Sequence, residues 1–409
     1  MLSINISQKA TTTQLKQHNQ ALILSAIYPH KAVARVQLAR ITHLSRPAVT
    51  DITQGLLDSG LIRELGAERV PAKVGKRATL LSFNPDAYHV IAMDIGGTKA
   101  IGALLDLQGR VLYQKRLSME GVSPSQSIEN ILHLAAEVAA EATYPLLGAA
   151  VGSPGIVDVQ TGTVHFASNL GWQDVPLARL LSEHLKLPVY VSNDTNLAAL
   201  GEYRFGLGQG INDLAVIMLG TGIGSGIIVD GRVVGGSTFG AGEIGHIPFV
   251  DLKEQCNCGR RGCLETVSSG WGIARQAKRI AEQHPESLLN QFAVDGEINA
   301  LTVEQAAAAG DSQATALVER MGYYLGLAIT NLIHLLNPRR IIIGGSLIRL
   351  GNPLFDEIKR TVQERALPSL AEQTDIVAST LGDSMVLLGA SALVMERELG
   401  LWSGFNSLR

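Results

Sequence analysis

Residues 89–106 read HVIAMDIGGTKAIGALLD, and the reading of this stretch decides the fold. The apolar run His89–Ile95 predicts a strand, and Ile101–Asp106 predicts another directly after it. Between them lies Asp94-Ile95-Gly96-Gly97-Thr98-Lys99. Two glycines in such a hairpin let backbone N–H groups approach an anion closely. Asp94 is then placed to hold Mg²⁺ through water, and Thr98 or Lys99 to face a phosphate. This is not a Walker A loop, because no Gly-x-x-x-x-Gly-Lys-Ser/Thr occurs. A second loop, Gly220-Thr221-Gly222-Ile223-Gly224-Ser225-Gly226, also follows an apolar strand. It misses the dinucleotide fingerprint at Ser225, and a strand rather than a helix is expected after it, which rejects a Rossmann reading. Either loop alone reads as a tight hairpin. Two of them in strand–loop–strand context point to phosphate binding.

Around these loops, apolar runs alternate with helical patterns to the C-terminus. Strands are expected at 102–106, 147–151, 189–191, 214–219, 226–229 and 340–343. Helices are expected at 127–142, 176–186, 195–204, 268–283, 303–309, 312–336, 353–365 and 384–398. This is an α/β pattern, and about 325 residues suffice for two lobes. Ser192-Asn193-Asp194-Thr195-Asn196 falls between a strand and a helix. A carboxylate there suits acid–base work, although taken alone Asp194 reads as a helix cap. Gly344 and Gly345 follow the apolar run 340–343 and border a ligand in many folds.

The three cysteines, Cys256, Cys258 and Cys263, lie within eight residues of one another, with His246 just upstream. An odd, clustered set in a chain without an evident export signal argues for metal rather than disulfides. One imidazole and three thiolates complete a tetrahedral zinc site of the closed, structural kind. Apolar residues make up 46% of the chain and charged ones 17%, so a large core is expected and disorder is not. No run of about 18 apolar residues is present, so no membrane span is expected, and the polar start carries no secretory signal. The cytoplasm is the expected location.

The net charge of −3 is unevenly spread. Residues 1–84 carry a net charge of +7 and the remainder −10. A basic head on an acidic body suits a polyanionic partner. Residues 1–13 read as a loose arm. Leu15, Ala21, Ile23, Leu24 and Ile27 suit a first helix, and Val36, Leu38, Ala39 and Ile41 a second. Thr42–Ser45 reads as a tight turn. A third helix follows to about Asp58, with Ser45 as its cap, Pro47 in its first turn and Gly60 at its end. Val49, Ile52, Leu56 and Leu57 form its expected inner stripe. Strands at 61–65 and 79–83 flank a basic loop with Arg69, Lys73, Lys76 and Arg77, and Asn84-Pro85 reads as a hinge. Three helices and a basic hairpin are the order of a winged helix-turn-helix.

Asp94–Lys99, Gly220–Gly226, Glu243–His246 and Cys256–Glu265 occur together, and the chain from about Gln14 to Glu396 resembles the ROK family, named for repressors, open reading frames and kinases. The resemblance implies the α/β, two-lobed ATPase fold of actin, Hsp70 and sugar kinases. It implies that Asp94, Gly96, Gly97, Thr98 and Lys99, with Gly220, Thr221, Gly222 and Gly224, grip the phosphates of Mg-ATP, and that Gly344 and Gly345 lie near adenosine. Asn193, Asp194, Glu243, His246 and Glu265 would hold sugar hydroxyls, with Asn169 and the Gly152–Gly155 turn lining the pocket. His246 would have two jobs, one ring nitrogen on zinc and the other toward the sugar. In the family's kinases the aspartate matching Asp194 is the general base.

The family's kinases begin near the strand matching Ile91–Asp94, and the extra head is the hallmark of its repressors. The resemblance therefore implies a winged helix-turn-helix at 1–84, a first lobe at 85–200 and a second at 201–409, with the last helix packing back on the first lobe. Arg46, Ala48, Thr50 and Asp51 would reach base edges in the major groove, and Lys73, Lys76 and Arg77 would meet phosphates or the minor groove. A sugar-responsive repressor is the leading expectation, acting as a homodimer or homotetramer on operator DNA. Because the phosphate loops and Asp194 are intact, a regulator that is also an ATP-dependent sugar kinase is the alternative. Which sugar and which operator are not legible.

Overall fold

A computed structural model describes residues 11–65 and 79–402 of the chain. Its N-terminal part follows the helix order read above. Helix α1 (Thr12–Ile27) opens on Thr11, which shares reciprocal capping hydrogen bonds with Gln14. The loose arm expected over residues 1–13 is therefore too long, since residues 12 and 13 are already helical. Ile23, Leu24 and Ile27 are buried, but Leu15 is 52% exposed, because the first turns of α1 lie outside the head's core. After β1 (Val33–Ala34) comes α2 (Arg35–Thr42), which buries Leu38 but leaves Val36 and Ile41 on its outer side. His43, in the left-handed region at φ 57°, turns the chain into α3 (Arg46–Asp58).

The Ser45 hydroxyl caps α3 by accepting from the Ala48 N–H, and Pro47 stands in the first turn, where no amide donor is needed. Val49, Ile52 and Leu56 point into the head's core, while Arg46, Thr50, Asp51 and Gln54 face outward and Ala48 is half-buried. Strands β2 (Ile62–Leu65) and β3 (Leu80–Phe83) pair antiparallel, and β1 adds itself to the far edge of β3. That third strand was not expected, since two residues carry no period of their own. Arg69, Lys73, Lys76 and Arg77, expected on the wing, lie outside the described residues.

The body holds two five-stranded sheets of the same design. The first runs through β4 (His89–Ile95), β5 (Lys99–Asp106) and β6 (Val111–Ser118), then α4 (Pro124–Ala140) and β7 (Leu146–Ser153). A small antiparallel flap follows, β8 (Ile156–Asp158), β9 (Thr163–Ala167) and β10 (Trp172–Val175), then α5 (Leu177–Leu185), β11 (Val189–Asn193) and α6 (Asp194–Phe205). The second comprises β12 (Leu214–Leu219), β13 (Ile223–Val229) and β14 (Arg232–Val233). It continues with helices α7 (Glu265–Ser268), α8 (Gly270–Gln283), α9 (Leu288–Gln291), α10 (Ala300–Ala308) and α11 (Ser312–Leu336), and then β15 (Arg340–Gly344). Helices α12 (Asn352–Arg365) and α13 (Pro368–Ala371), strand β16 (Asp375–Ala378) and helix α14 (Met385–Leu399) close the chain.

The strand orders are β11-β7-β4-β5-β6 and β14-β13-β12-β15-β16. In each sheet three parallel strands carry an antiparallel hairpin, β4–β5 or β12–β13, whose turn is one of the glycine loops. The two phosphate-loop candidates thus occupy equivalent places in equivalent sheets. Strands β6, β8, β9, β10 and β16 had no clear sequence signal. Strand β6 is an edge strand without a fully buried residue, so no apolar run marks it.

Helices α6 and α14 cross between the sheets, α6 against β12 and β13, α14 against β4 and β7. The crossing is backbone against backbone. A Cβ on Gly389 would lie 1.8 Å from the Leu197 carbonyl oxygen, and one on Gly201 would lie 2.2 Å from that of Met385. The expected lobe boundary at residue 200 falls inside α6, which both halves share. Because neither backbone can give way, Gly389→Ala should destabilise the chain by about 1–3 kcal/mol or prevent its folding, read from urea unfolding.

Candidate functional site

The C-terminal ends of parallel strands in open α/β sheets are where ligands bind. Here Asp94 on β4 pairs in register with Gly152 on β7, and Gly152 with Ser192 on β11. Those strand ends therefore bring Asp94, Gly152 and the Asn193–Asp194 corner together. On the second sheet, Met218 of β12 is level with Gly344 of β15. Gly345 has φ 93°, and a Cβ on it would lie 2.3 Å from the Leu219 carbonyl oxygen, so it backs directly onto the base of the second glycine loop.

The glycines of the loops are crowded by other site residues. A Cβ on Gly97 would lie 2.9 Å from the Asn169 Cβ, and one on Gly222 would lie 2.4 Å from Glu265 Oε1. The Gly96 amide donates to the Lys99 carbonyl at 2.8 Å, and that of Gly220 to the Gly222 carbonyl at 3.0 Å, which closes both turns. Gly220 itself has open space where a side chain would be. Gly270 and Trp271, at the start of α8, donate their amides to the carbonyls of Gly220 and Thr221. Gly224 lies against the Thr195 side chain. Thr98 accepts through its carbonyl from the Met119 amide, and the Lys99 ammonium stands 3.7 Å from Asp383.

Asn193 is the cap of α6, and its Oδ1 accepts from the amides of Thr195 and Asn196. Its Nδ2 donates to the Gly155 carbonyl at 3.1 Å. Gly155 has φ 83° and would clash with Phe166 on the flap if it carried a Cβ. Asp194 is driven up to about 7, first by burial and then by the charge of Asp94; the Thr195 amide and hydroxyl pull it partly back. Burial also lifts Asp94 to about 6, with Asp383 adding to the rise and Lys99 opposing it. A group poised near neutrality can accept a proton under ordinary conditions.

Glu265 ties the metal loop to the second glycine loop. Its Oε1 accepts from the Ile223 amide at 2.8 Å, and its Oε2 is 4.0 Å from Cys256 Sγ. His246 faces two ways, with Nδ1 3.9 Å from Cys256 Sγ and Nε2 3.9 Å from Glu243 Oε2. Burial, with the neighbouring Glu265 charge, raises Glu243 above its ordinary value. One donor atom from each of His246, Cys256, Cys258 and Cys263 lies within 4.8 Å of every other. Cys258 and Cys263 Sγ are 3.7 Å apart, and tetrahedral zinc with bonds of about 2.3 Å asks for a sulfur–sulfur distance of about 3.8 Å. Burial pushes the Cys263 thiol up to about 12 and raises Cys256, whereas the Arg260 amide and neighbouring thiols outweigh partial burial at Cys258 and lower it. Buried thiols of this kind ionise when a divalent cation accepts them, so the donor set fits zinc.

The model of the ROK family matches residues 90–397. The chain belongs to the ROK family. A xylose repressor of Caldicellulosiruptor bescii is 29% identical over 94% of this chain and 97% of its own. A glucokinase of Halalkalibacterium halodurans is 38% identical, over 77% of this chain and 97% of its own. The crystal structure of a ROK transcriptional regulator, a homologue of the E. coli MLC protein, superposes with a TM-score of 0.83 at 29% identity, over 94% of this chain and 96% of that one. The chain therefore has the ROK sugar-kinase-like fold with a helical head.

Two neighbours of the ROK site went unread in the sequence. Asp383 lies 284 residues from Lys99, and no local pattern marks it; it pairs with Arg116 at 2.7 Å as well as with Lys99. Thr195 was read only as the start of α6, yet its hydroxyl donates to Asn193 at 2.7 Å and lies 3.4 Å from Asp194 Oδ1.

The folded chain holds the Asp194 proton to about 7, while the unfolded chain releases it near 3.8. Between those values the folded state binds more protons, so the group removes stability as pH rises through that window. Asp194→Asn should raise the melting temperature by several degrees at about pH 8, with the gain vanishing toward about pH 4, read by scanning calorimetry. Cys258→Ser removes one of the four donors and should weaken the uptake of added Zn²⁺ by more than about tenfold, read by titration against a chromophoric chelator.

Proposed function

We propose that the protein is a sugar-responsive transcriptional repressor. Residues 1–84 bind operator DNA, and the cleft of the body, with lobes at about 85–200 and 201–409, binds a sugar. The observation that carries this reading is the helix-turn-helix itself: α3 presents Arg46, Thr50, Asp51 and Gln54 outward from a capped, packed helix. The full-length likeness to a named xylose repressor supports it. Arg46, Ala48, Thr50 and Asp51 would face base edges, and Lys73, Lys76 and Arg77 the backbone. Asn169, Asn193, Asp194, Glu243, His246 and Glu265 would bind the hydroxyls of the sugar. Zinc on His246, Cys256, Cys258 and Cys263 would hold that wall of the pocket. Closure of the lobes on sugar would shift the heads of a homodimer or homotetramer and spoil half-site spacing. No helix among the described residues is long and apolar enough to cross a membrane, and a DNA-binding regulator of this kind acts in the cytoplasm.

A second reading, a regulator that also phosphorylates its sugar, is favoured by the raised Asp194 and by the 38% identity to a glucokinase. ATP with Mg²⁺, when bound, supplies the phosphoryl group and neutralises its charge. Asp94 would hold the magnesium through water, while Gly96, Gly97, Thr98, Lys99, Gly220, Thr221, Gly222 and Gly224 would line the phosphates and Gly344 and Gly345 the adenosine. Asp194 would take the proton of the attacking sugar hydroxyl, with Thr195 and Asn193 fixing its carboxylate.

Duplex DNA selected by the full-length protein from a random pool should bind in fluorescence anisotropy. One of glucose, xylose or N-acetylglucosamine should weaken it by about 5–150-fold at fixed salt. Deletion of residues 1–84 should abolish DNA binding and spare sugar binding. No selected duplex would refute the repressor. Sugar-dependent ATP turnover, lost in Asp194→Asn, would establish the second activity.

A further inference from the structure

Helix α6 starts at the candidate sugar site and ends at the head. Its N-terminus carries Asn193 and Asp194, and its last turn carries Tyr203, Arg204 and Phe205. Twelve residues of helix span about 18 Å, so one rigid element reaches from cleft to head. Residues 195–203 of α6 are all buried. The glycine contacts with α14 and β13 leave its backbone no room to bend or slide on its own.

At the far end, the Arg204 guanidinium lies between two rings, 4.4 Å from the Tyr203 centroid and 4.7 Å from that of Trp402. Its side chain is 11% exposed, and Glu396 on α14 stands 3.9 Å away. Trp402 follows α14 and also meets the Phe205 ring edge-on at 6.4 Å. On its other side it meets Tyr28 of the head edge-on at 5.3 Å, and its backbone N–H donates to Ser25 Oγ of α1 at 2.9 Å. Tyr28 packs in turn against Phe83 of the head's sheet at 4.9 Å.

The head has a second hold on the body. The Tyr28 hydroxyl donates to the carbonyl of Leu107, just beyond β5 of the first sheet. One attachment therefore belongs to the first sheet and the other to the α6–α14 seam. Between head and body lies a cleft of about 380 Å³, lined by Ser25, Tyr28, His30, Arg204 and Trp402 among others. Tyr28 thus touches both supports, its hydroxyl on Leu107 and its ring on Trp402.

We propose that α6, through Arg204 and Trp402, is the positioning element that carries cleft closure on sugar to the DNA-reading head. This rests on the repressor reading and names its line of regulation. None of Arg204, Trp402 or Tyr28 belongs to the candidate sugar or DNA contacts, so a change there alters coupling rather than either affinity.

The test uses full-length protein, a duplex it selects, and glucose, xylose and N-acetylglucosamine as probes. Sugar binding is measured by calorimetry, and DNA binding by anisotropy with and without sugar. Trp402→Ala should keep its sugar Kd within about twofold of wild type, while the sugar-induced loss of DNA affinity falls from the 5–150-fold range usual for coupled sites to under about twofold. Tyr28→Phe removes one hydrogen bond and keeps the ring, so it should lose part of the response and fold whether or not Trp402→Ala does. A full wild-type response in either variant overturns the relay. A wild-type complex that ignores every probe sugar overturns the repressor reading instead, and the relay with it.

Discussion

The crossing of α6 with α14 is the contact on which the rest of the molecule depends. Gly201 and Gly389 let the two backbones touch, and the helices so joined form the layer between the sheets. That layer sets how β4 and β12, and with them the two glycine loops, stand to one another in this arrangement. It also fixes where Asp194 stands, because α6 begins there. A side chain at either glycine would push the helices apart and move both walls of the site at once. The pairing is a matter of shape rather than charge, and packed seams of this kind switch between discrete arrangements instead of deforming smoothly.

The residues proposed for the sugar and those proposed for the phosphates are not separable. Asn169 packs on Gly97, and Glu265 accepts from the Ile223 amide beside Gly222. A sugar held by both Asn169 and Glu265 would act on both loops, even with no nucleotide bound. His246 extends the same logic to the metal loop, with one nitrogen toward Cys256 and the other toward Glu243. Sensor and kinase would use the same first contacts, which is why family membership alone does not separate them.

Much of this was legible in the sequence, for local reasons. The hairpin at 94–99, the cap at Ser45 and the metal cluster are set by residues within about 20 positions of one another. Helix α11 kept the span its period predicted because it faces one core along its length. What escaped was non-local or unpatterned. The flap β8–β10 is made of three- to five-residue strands, too short for a period. Leu15, Val36 and Ile41 fit a helical stripe but face outward, because apolar spacing says which residues share a face and not whether that face is covered. Asp383 needed the fold to bring it to Lys99.

That last pair bears on whether nucleotide can enter. Lys99, at the end of the first glycine loop, is paired with Asp383, which also pairs with Arg116. An internal carboxylate on a lysine proposed to face phosphate looks like a self-made block. Its strength argues otherwise. The three side chains are about half exposed, and pairs of that kind contribute roughly 0–1 kcal/mol. A triphosphate with magnesium brings several charge-assisted contacts to the same place. Asp94 and Asp194 point the same way, since burying two carboxylates works against stability at neutral pH, and a sensor needing only sugar contact could hold hydroxyls with neutral amides. The two raised carboxylates therefore support the second reading proposed above, a cleft that also serves phosphoryl transfer, over one that only holds a sugar.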